Sequence, residues 1–198
     1  NCGSCYSCQR QMVNCCMTNE TMGVQREGAF SQYITMPIER IYDGKGIEPK
    51  LLAMIEPFCI SYHGMKKAEI KPGERVLVMG AGTIGVLAAL SAKLMGADVT
   101  ICDVSEEKLA YAQQHFGADY ILLNEGEETF RQKISEMTEG KGFDVTVEAV
   151  GLGSTFLNCI EGVAFGGRVV QIGVGKQTPE FDFTAIQKKE LKIFGSRN

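Results

Sequence analysis

An α/β protein built on a doubly wound, six-stranded parallel sheet is what the sequence predicts, and two observations carry that reading. Short apolar runs alternate with helical stretches throughout the chain beyond Lys71, the pattern of successive βαβ units. The first run, residues 76–79, turns directly into a helix through Gly80, Gly82 and Gly85, spaced as G-x-G-x-x-G. A third observation concerns what precedes the sheet. Five of the eight cysteines fall within the first 16 residues, which points to a separate cysteine-rich lobe.

The whole chain of 198 residues is long enough for one good core and part of a second unit. An apolar content of 44% and a net charge of −4 describe an ordinary globular protein. There is no Lys/Arg run, so nucleic acid and anionic membrane surfaces are not expected partners. The apolar stretches are strand-sized or broken by Gly, Pro or charge, so no membrane span is expected, and the reading is cytoplasmic. The chain begins at Asn1 in mid-motif, as a fragment or processed piece would.

Cys2, Cys5, Cys8 and Cys16 form C-x2-C-x2-C-x7-C, a spacing that lets one irregular loop wrap four thiolates around a single ion. Four thiolates with no open position suit structural Zn²⁺. An iron–sulfur cluster shares the first three spacings, and disulfides or free thiols remain alternatives. Cys15 is a spare thiol or the true fourth member. Residues 30–43 alternate apolar and polar around Tyr33, Ile34, Met36 and Ile38, as an edge strand carrying Pro37 would. Residues 43–49 hold Gly44, Gly46 and Pro49 and read as a turn. From Lys50 a helical pattern runs to Lys67, interrupted at Pro57. Cys59 reads as a buried small hydrophobe, and His63 as packing or capping.

Pro72-Gly73-Glu74 is the turn into the sheet and sets a boundary between domains 1–70 and 71–198. Strands are predicted at 76–79, 99–102, 120–123, 144–150, 168–173 and 191–194, and helices at 84–95, 106–116, 129–138, 154–164 and 183–189, in the sheet order 3-2-1-4-5-6. Gly80 serves the tight turn, Gly82 the close approach of a pyrophosphate, and Gly85 helix–strand packing. The N–H groups of Thr83 and Ile84 would face phosphates at the helix start. Asp103 closes the second strand about 20 residues on, where a carboxylate accepts hydrogen bonds from an adenosine ribose; it favours NAD over NADP because no Lys or Arg follows before Lys108. Lys108 itself lies within reach of that ribose or is a plain surface lysine.

The four-cysteine lobe, the segment Gly28-Ala29-Phe30-Ser31-Gln32-Tyr33, and Ile55-Glu56-Pro57 ahead of the glycine motif resemble the zinc-containing medium-chain alcohol dehydrogenases, in the polyol, sorbitol and threonine dehydrogenase branch. The resemblance covers essentially the whole chain, against only the middle and later part of the family's. It implies a Rossmann domain preceded by a zinc lobe and part of a GroES-like β domain. It implies that Glu56 approaches the catalytic zinc of the complete chain, as ligand or through water. It also implies that backbone groups at Val150, Gly151, Ile172, Gly173, Val174 and Phe194 border the nicotinamide. Hydride transfer between NAD and a secondary alcohol follows, with a polyol or sugar acid as substrate, Arg197 as a partner for a carboxylate, and a homodimer or homotetramer as the assembly. Two alternatives remain: an NAD-binding module without activity, or a zinc-free quinone reductase-like member.

Overall fold

The computed structural model of the chain describes residues 1–197, and these fall into two compact units, Asn1–Met54 with Arg197, and Ile55–Ser196.

The first unit holds little regular structure: helix α1 (Tyr6–Gln9), 3-10 turns at Val13–Cys15 and Ile38–Arg40, and helix α2 (Pro49–Leu52). The strand expected over residues 30–43 is not formed; apart from the turn at Ile38–Arg40 the segment is irregular, and Phe30, Tyr33, Ile38 and Tyr42 are exposed. The reason is physical. A strand exists by pairing its N–H and C=O groups with a neighbour, and among the described residues of this unit no strand supplies one.

In the second unit, helix α3 (Ile55–Ala68) precedes strands β1 (Arg75–Met79), β2 (Asp98–Asp103), β3 (Tyr120–Leu123), β4 (Phe143–Glu148), β5 (Val163–Gln171) and β6 (Lys192–Gly195). Helices α4 (Thr83–Leu94), α5 (Glu106–Phe116), α6 (Glu127–Thr138), α7 (Gly153–Gly162) and α8 (Thr184–Lys188) connect them. All pairings are parallel and the order is β3-β2-β1-β4-β5-β6, as the alternation predicts. The strand order reverses between β1 and β4, so the crevice for a ligand opens beyond their carboxyl ends.

Successive residues of β1 serve opposite layers. Leu77 and Met79 join Phe130, Ile134, Cys159 and Ile160 in a core beneath α6 and α7, while Val78 lies against α4 at Gly85. Helix α4, apolar nearly all round, is correspondingly buried. Helix α5 is instead half-polar; Ser105 caps its start and Gly117, at φ +69°, ends it.

Two element boundaries differ from the sequence reading. The helix break falls at Ala53–Met54 and not at Pro57, because Pro57 occupies the first turn of α3, where a missing N–H removes no bond. Strand β5 begins at Val163, five residues early. Gly142 and Gly167 permit this, since a Cβ on either would lie 2.8 Å or less from Ala164 or Val163 atoms, and the β4–β5 register shifts there. Helix α3 also packs with the sheet. Gly64 faces Ile172 so closely that a Cβ would lie 2.6 Å from its Cδ1, Ser61 Oγ donates to Ile84 O (2.8 Å), and Arg168 Nη1 donates to Ala68 O (2.8 Å). By compactness, α3 belongs with the second unit. Cys59 is exposed and not buried, because α3 turns Ser61, Gly64, Met65 and Ala68 inward and Cys59 lies off that face.

Candidate cofactor crevice and metal centre

Each glycine of the β1–α4 turn occupies its place for a separate reason. Gly80 has φ +100°, a conformation that side chains rarely adopt, and its N–H donates to Cys102 O (2.6 Å). A Cβ at Gly85 would lie 1.8 Å from Gly80 O, so the helix and the turn touch through backbone alone. Gly82, the residue before α4, is exposed, and a Cβ there would meet nothing within 4 Å. Its backbone is therefore open to approach from outside. The first N–H groups of α4, at Thr83, Ile84 and Gly85, have no intrahelical acceptor by helix geometry, and the helix dipole adds positive potential there. These features fit a pyrophosphate.

Asp103 ends β2 beside this turn. Its Oδ2 accepts from Ala81 N–H (2.7 Å) and its Oδ1 from Ser105 N–H (3.0 Å), which holds the half-buried carboxylate against the glycine loop with lone-pair capacity left on both oxygens. Lys108 sits exposed in the first turn of α5, where its N–H meets the Ser105 cap (3.4 Å). The ends of β4 and β5 form the opposite wall. Ile172 and Gly173 N–H both donate to Glu148 O (2.9 and 3.0 Å), and a Cβ on Gly151 would lie 2.6 Å from Val174 O. Val150 and Val174 are exposed at this wall. Phe194 differs: β6 runs on to Gly195, and the Phe194 side chain, with Lys192, Arg168 and Glu74, lines a cavity of about 290 Å³.

Sequence reasoning assigned no role to Glu148, Thr155 or Gln171. Glu148 is completely buried and collects hydrogen bonds from Val150 N–H, Gly151 N–H, Thr155 Oγ1 and Gln171 Nε2. The available signal was an acid between the β-branched run Val145-Thr146-Val147 and the apolar Ala149-Val150.

In the first unit, the Sγ atoms of Cys2, Cys5, Cys8 and Cys16 lie within 4.8 Å of one another. The Cys2 and Cys16 sulfurs are 3.7 Å apart, against about 3.8 Å for two thiolates bound tetrahedrally at 2.3 Å to one zinc. The eight cysteines are all free thiols, and the group takes Cys16 and not Cys15. N–H groups of Ser4 and Cys5 bring the Cys2 thiol down to about 5, and the Cys2 N–H lowers Cys16. Burial acts oppositely on Cys8, which is pushed up to about 11. The donor set fits a single thiophilic ion.

Glu56 is exposed in the first turn of α3. Among the described residues, no group of three or more metal-ligating side chains includes it or His63. The His63 Nε2 atom is buried without a hydrogen-bond partner among the described residues, and burial, with Lys67 and Lys66 nearby, lowers its pKa. Arg197 is exposed, its carbonyl accepting from Asn14 Nδ2 (2.8 Å). No helix among the described residues is long and apolar enough to cross a membrane.

Comparison with known proteins agrees with this geometry. A family model described as zinc-binding dehydrogenase matches residues 83–198. The chain is 35% identical over 197 residues to the L-galactonate-5-dehydrogenase of Escherichia coli K12, covering all of this chain and 57% of that protein. Among solved structures, an Escherichia coli CFT073 alcohol dehydrogenase complexed with NADH superposes with a TM-score of 0.92 at 28% identity, over 100% of this chain and 58% of that one. A Sinorhizobium meliloti 1021 protein, named as a zinc-binding dehydrogenase and bound to NADP, does so with a TM-score of 0.91 at 28% identity, over 100% and 59%. The chain thus spans a little over half the length of the relatives it matches, and it belongs to the zinc-binding, medium-chain alcohol dehydrogenase family.

Proposed function

We propose that the chain binds NAD and serves a zinc-dependent dehydrogenase that moves a hydride between NAD and a secondary alcohol, a polyol or sugar acid. The observation that carries this reading is the glycine turn with Asp103 fixed beside it (Ala81 N–H to Oδ2, 2.7 Å). Gly80, Gly82, Thr83, Ile84 and Gly85 would receive the pyrophosphate, and Asp103, with Lys108 nearby, the adenosine ribose. Val150, Gly151, Ile172, Gly173 and Val174, with the β6 backbone at Phe194, would border the nicotinamide. NAD is preferred to NADP because Asp103, Glu106 and Glu107 crowd negative charge where a 2′-phosphate would sit. When bound, the nicotinamide supplies the hydride acceptor and a catalytic zinc the Lewis acid that acidifies an alcohol.

Cys2, Cys5, Cys8 and Cys16 would hold a structural zinc, which acts here as a cross-link of the lobe. Glu56 would approach a catalytic zinc in the complete protein, with residues 1–70 belonging to the catalytic domain and 71–198 to the cofactor domain. The protein works in the cytoplasm as a homodimer or homotetramer.

The test is turnover of NAD⁺ with a panel of polyols and sugar acids, followed by the absorbance of the reduced nicotinamide. A polyol or sugar acid oxidised with NAD⁺ is the expected result. Binding of NADH without turnover of any alcohol would favour a second reading, an NAD-binding module without activity.

A further inference from the structure

The geometry points to Glu148 as a positioning residue that presets the nicotinamide side of the crevice, an inference that rests on the cofactor reading above. Glu148 is the last residue of β4 and is 0% exposed. An acid so deeply buried must be compensated, and here no cation of the described residues pairs with it; the compensation consists of neutral donors. Oε1 accepts from Val150 N–H (2.9 Å), Gly151 N–H (2.9 Å) and Thr155 Oγ1 (2.7 Å). Oε2 accepts from Gln171 Nε2 (2.6 Å) and again from Gly151 N–H (3.1 Å).

Those donors come from two different strand ends. Val150, Gly151 and Thr155 follow β4, whereas Gln171 ends β5, and its Nε2 also donates to Gly173 O (2.8 Å). One carboxylate therefore joins the two segments that would border the nicotinamide. The packing around the joint leaves no slack. A Cβ on Gly173 would lie 2.3 Å from Glu148 Oε2, and a Cβ on Gly175 would lie 1.8 Å from Gly151 O. Gln171 Oε1 is buried with no partner among the described residues, an open acceptor at the same end of β5.

Only an acceptor on both arms satisfies donors converging from both sides. A carboxylate provides four lone-pair sites, whereas an amide of the same shape turns an NH₂ group against an existing donor. Glu148→Gln keeps the volume and so disturbs the joint without opening a cavity. Its effect should reach the nicotinamide half of the cofactor and spare the adenosine half, held across the crevice by the glycine turn and Asp103.

The experiment compares calorimetric affinities for NADH and for ADP-ribose, which lacks the nicotinamide. In Glu148→Gln, NADH affinity is expected to fall by about tenfold or more while ADP-ribose affinity stays within about twofold. Thr155→Val, which removes one donor and leaves the acid in place, should shift the same ratio in the same direction and decides the matter if Glu148→Gln does not fold. Equal losses for both ligands, or no loss for either, would overturn the role of Glu148 while leaving the cofactor reading intact. A wild-type chain that bound neither ligand would overturn both.

Discussion

At Gly85 and Gly82 the same added methyl group should have opposite consequences. The Gly85 Cβ would lie 1.8 Å from the Gly80 carbonyl oxygen, and backbone cannot step aside, so Gly85→Ala is expected to cost about 3 kcal/mol or more of stability in urea unfolding. The Gly82 Cβ meets nothing within 4 Å, so Gly82→Ala should leave stability within about 0.5 kcal/mol while weakening NADH, because the backbone there is what a pyrophosphate would approach in the proposed site. Stability lost equally at both positions would contradict this division of roles. At Asp103 the expected change is in selectivity. Charge-assisted hydrogen bonds contribute about 1.5–3 kcal/mol each, so a preference for NAD of about a hundredfold is expected. Asp103→Ala should narrow it chiefly by weakening NADH, and Val104→Arg should begin to reverse it. Calorimetry with both cofactors reads both effects. Glu148 shows what remained hidden at this scale: its position was visible as an acid at the end of a β-branched run, but its partners Thr155 and Gln171 are brought to it only by the fold.

Elements carry their own tests. Strand β2 and helix α4 are tied through Asp119, which accepts from Val99 N–H (2.8 Å) and pairs with Lys93 Nζ. Burial alone would raise the Asp119 carboxyl, but the bonds from Lys93 and Val99 outweigh it and hold the group below its ordinary value. A depressed carboxyl stabilises the fold above its unfolded pKa and loses that contribution as pH falls through the folded value. The stability difference between wild type and Asp119→Asn should therefore be full near neutrality and shrink once pH drops below about 4. A difference independent of pH would mean that the ion pair contributes nothing. In the cysteine lobe regular structure is scant, since α1 spans only Tyr6–Gln9. One zinc per chain is expected by metal analysis, and Cys16→Ser should abolish it and speed amide exchange in residues 1–25 without altering exchange in β1 and β4. An unchanged metal content would exclude Cys16 as a ligand. The irregular segment at residues 30–43 marks the limit of element-level reading. Alternation identifies which residues suit a strand, but whether a neighbour exists to pair with is not a property of the segment.

For the molecule as a whole, the sheet was legible because its signals agree. Strand-sized apolar runs, glycines at the first turn and helical crossovers admit few topologies, and right-handed crossovers leave the observed order. Less legible was the place of α3, since the chain punctuates at Pro72-Gly73 whereas the packing of Gly64 on Ile172 joins the helix to the sheet. Such contacts carry no local signature. Strand β6 leaves one edge of the sheet open, and pairing of two such edges across a two-fold axis is the expected route to a homodimer. Light scattering at micromolar concentration should give a dimer or tetramer, and a monomer would count against it. The central claim, that the crevice beyond β1 and β4 is built for NAD, is tested most directly by titrating NADH and NADPH into the chain by calorimetry. Saturable binding of one NADH per chain, tighter than NADPH by about a hundredfold, is the predicted result; absence of NADH binding, or tighter binding of NADPH, would contradict it.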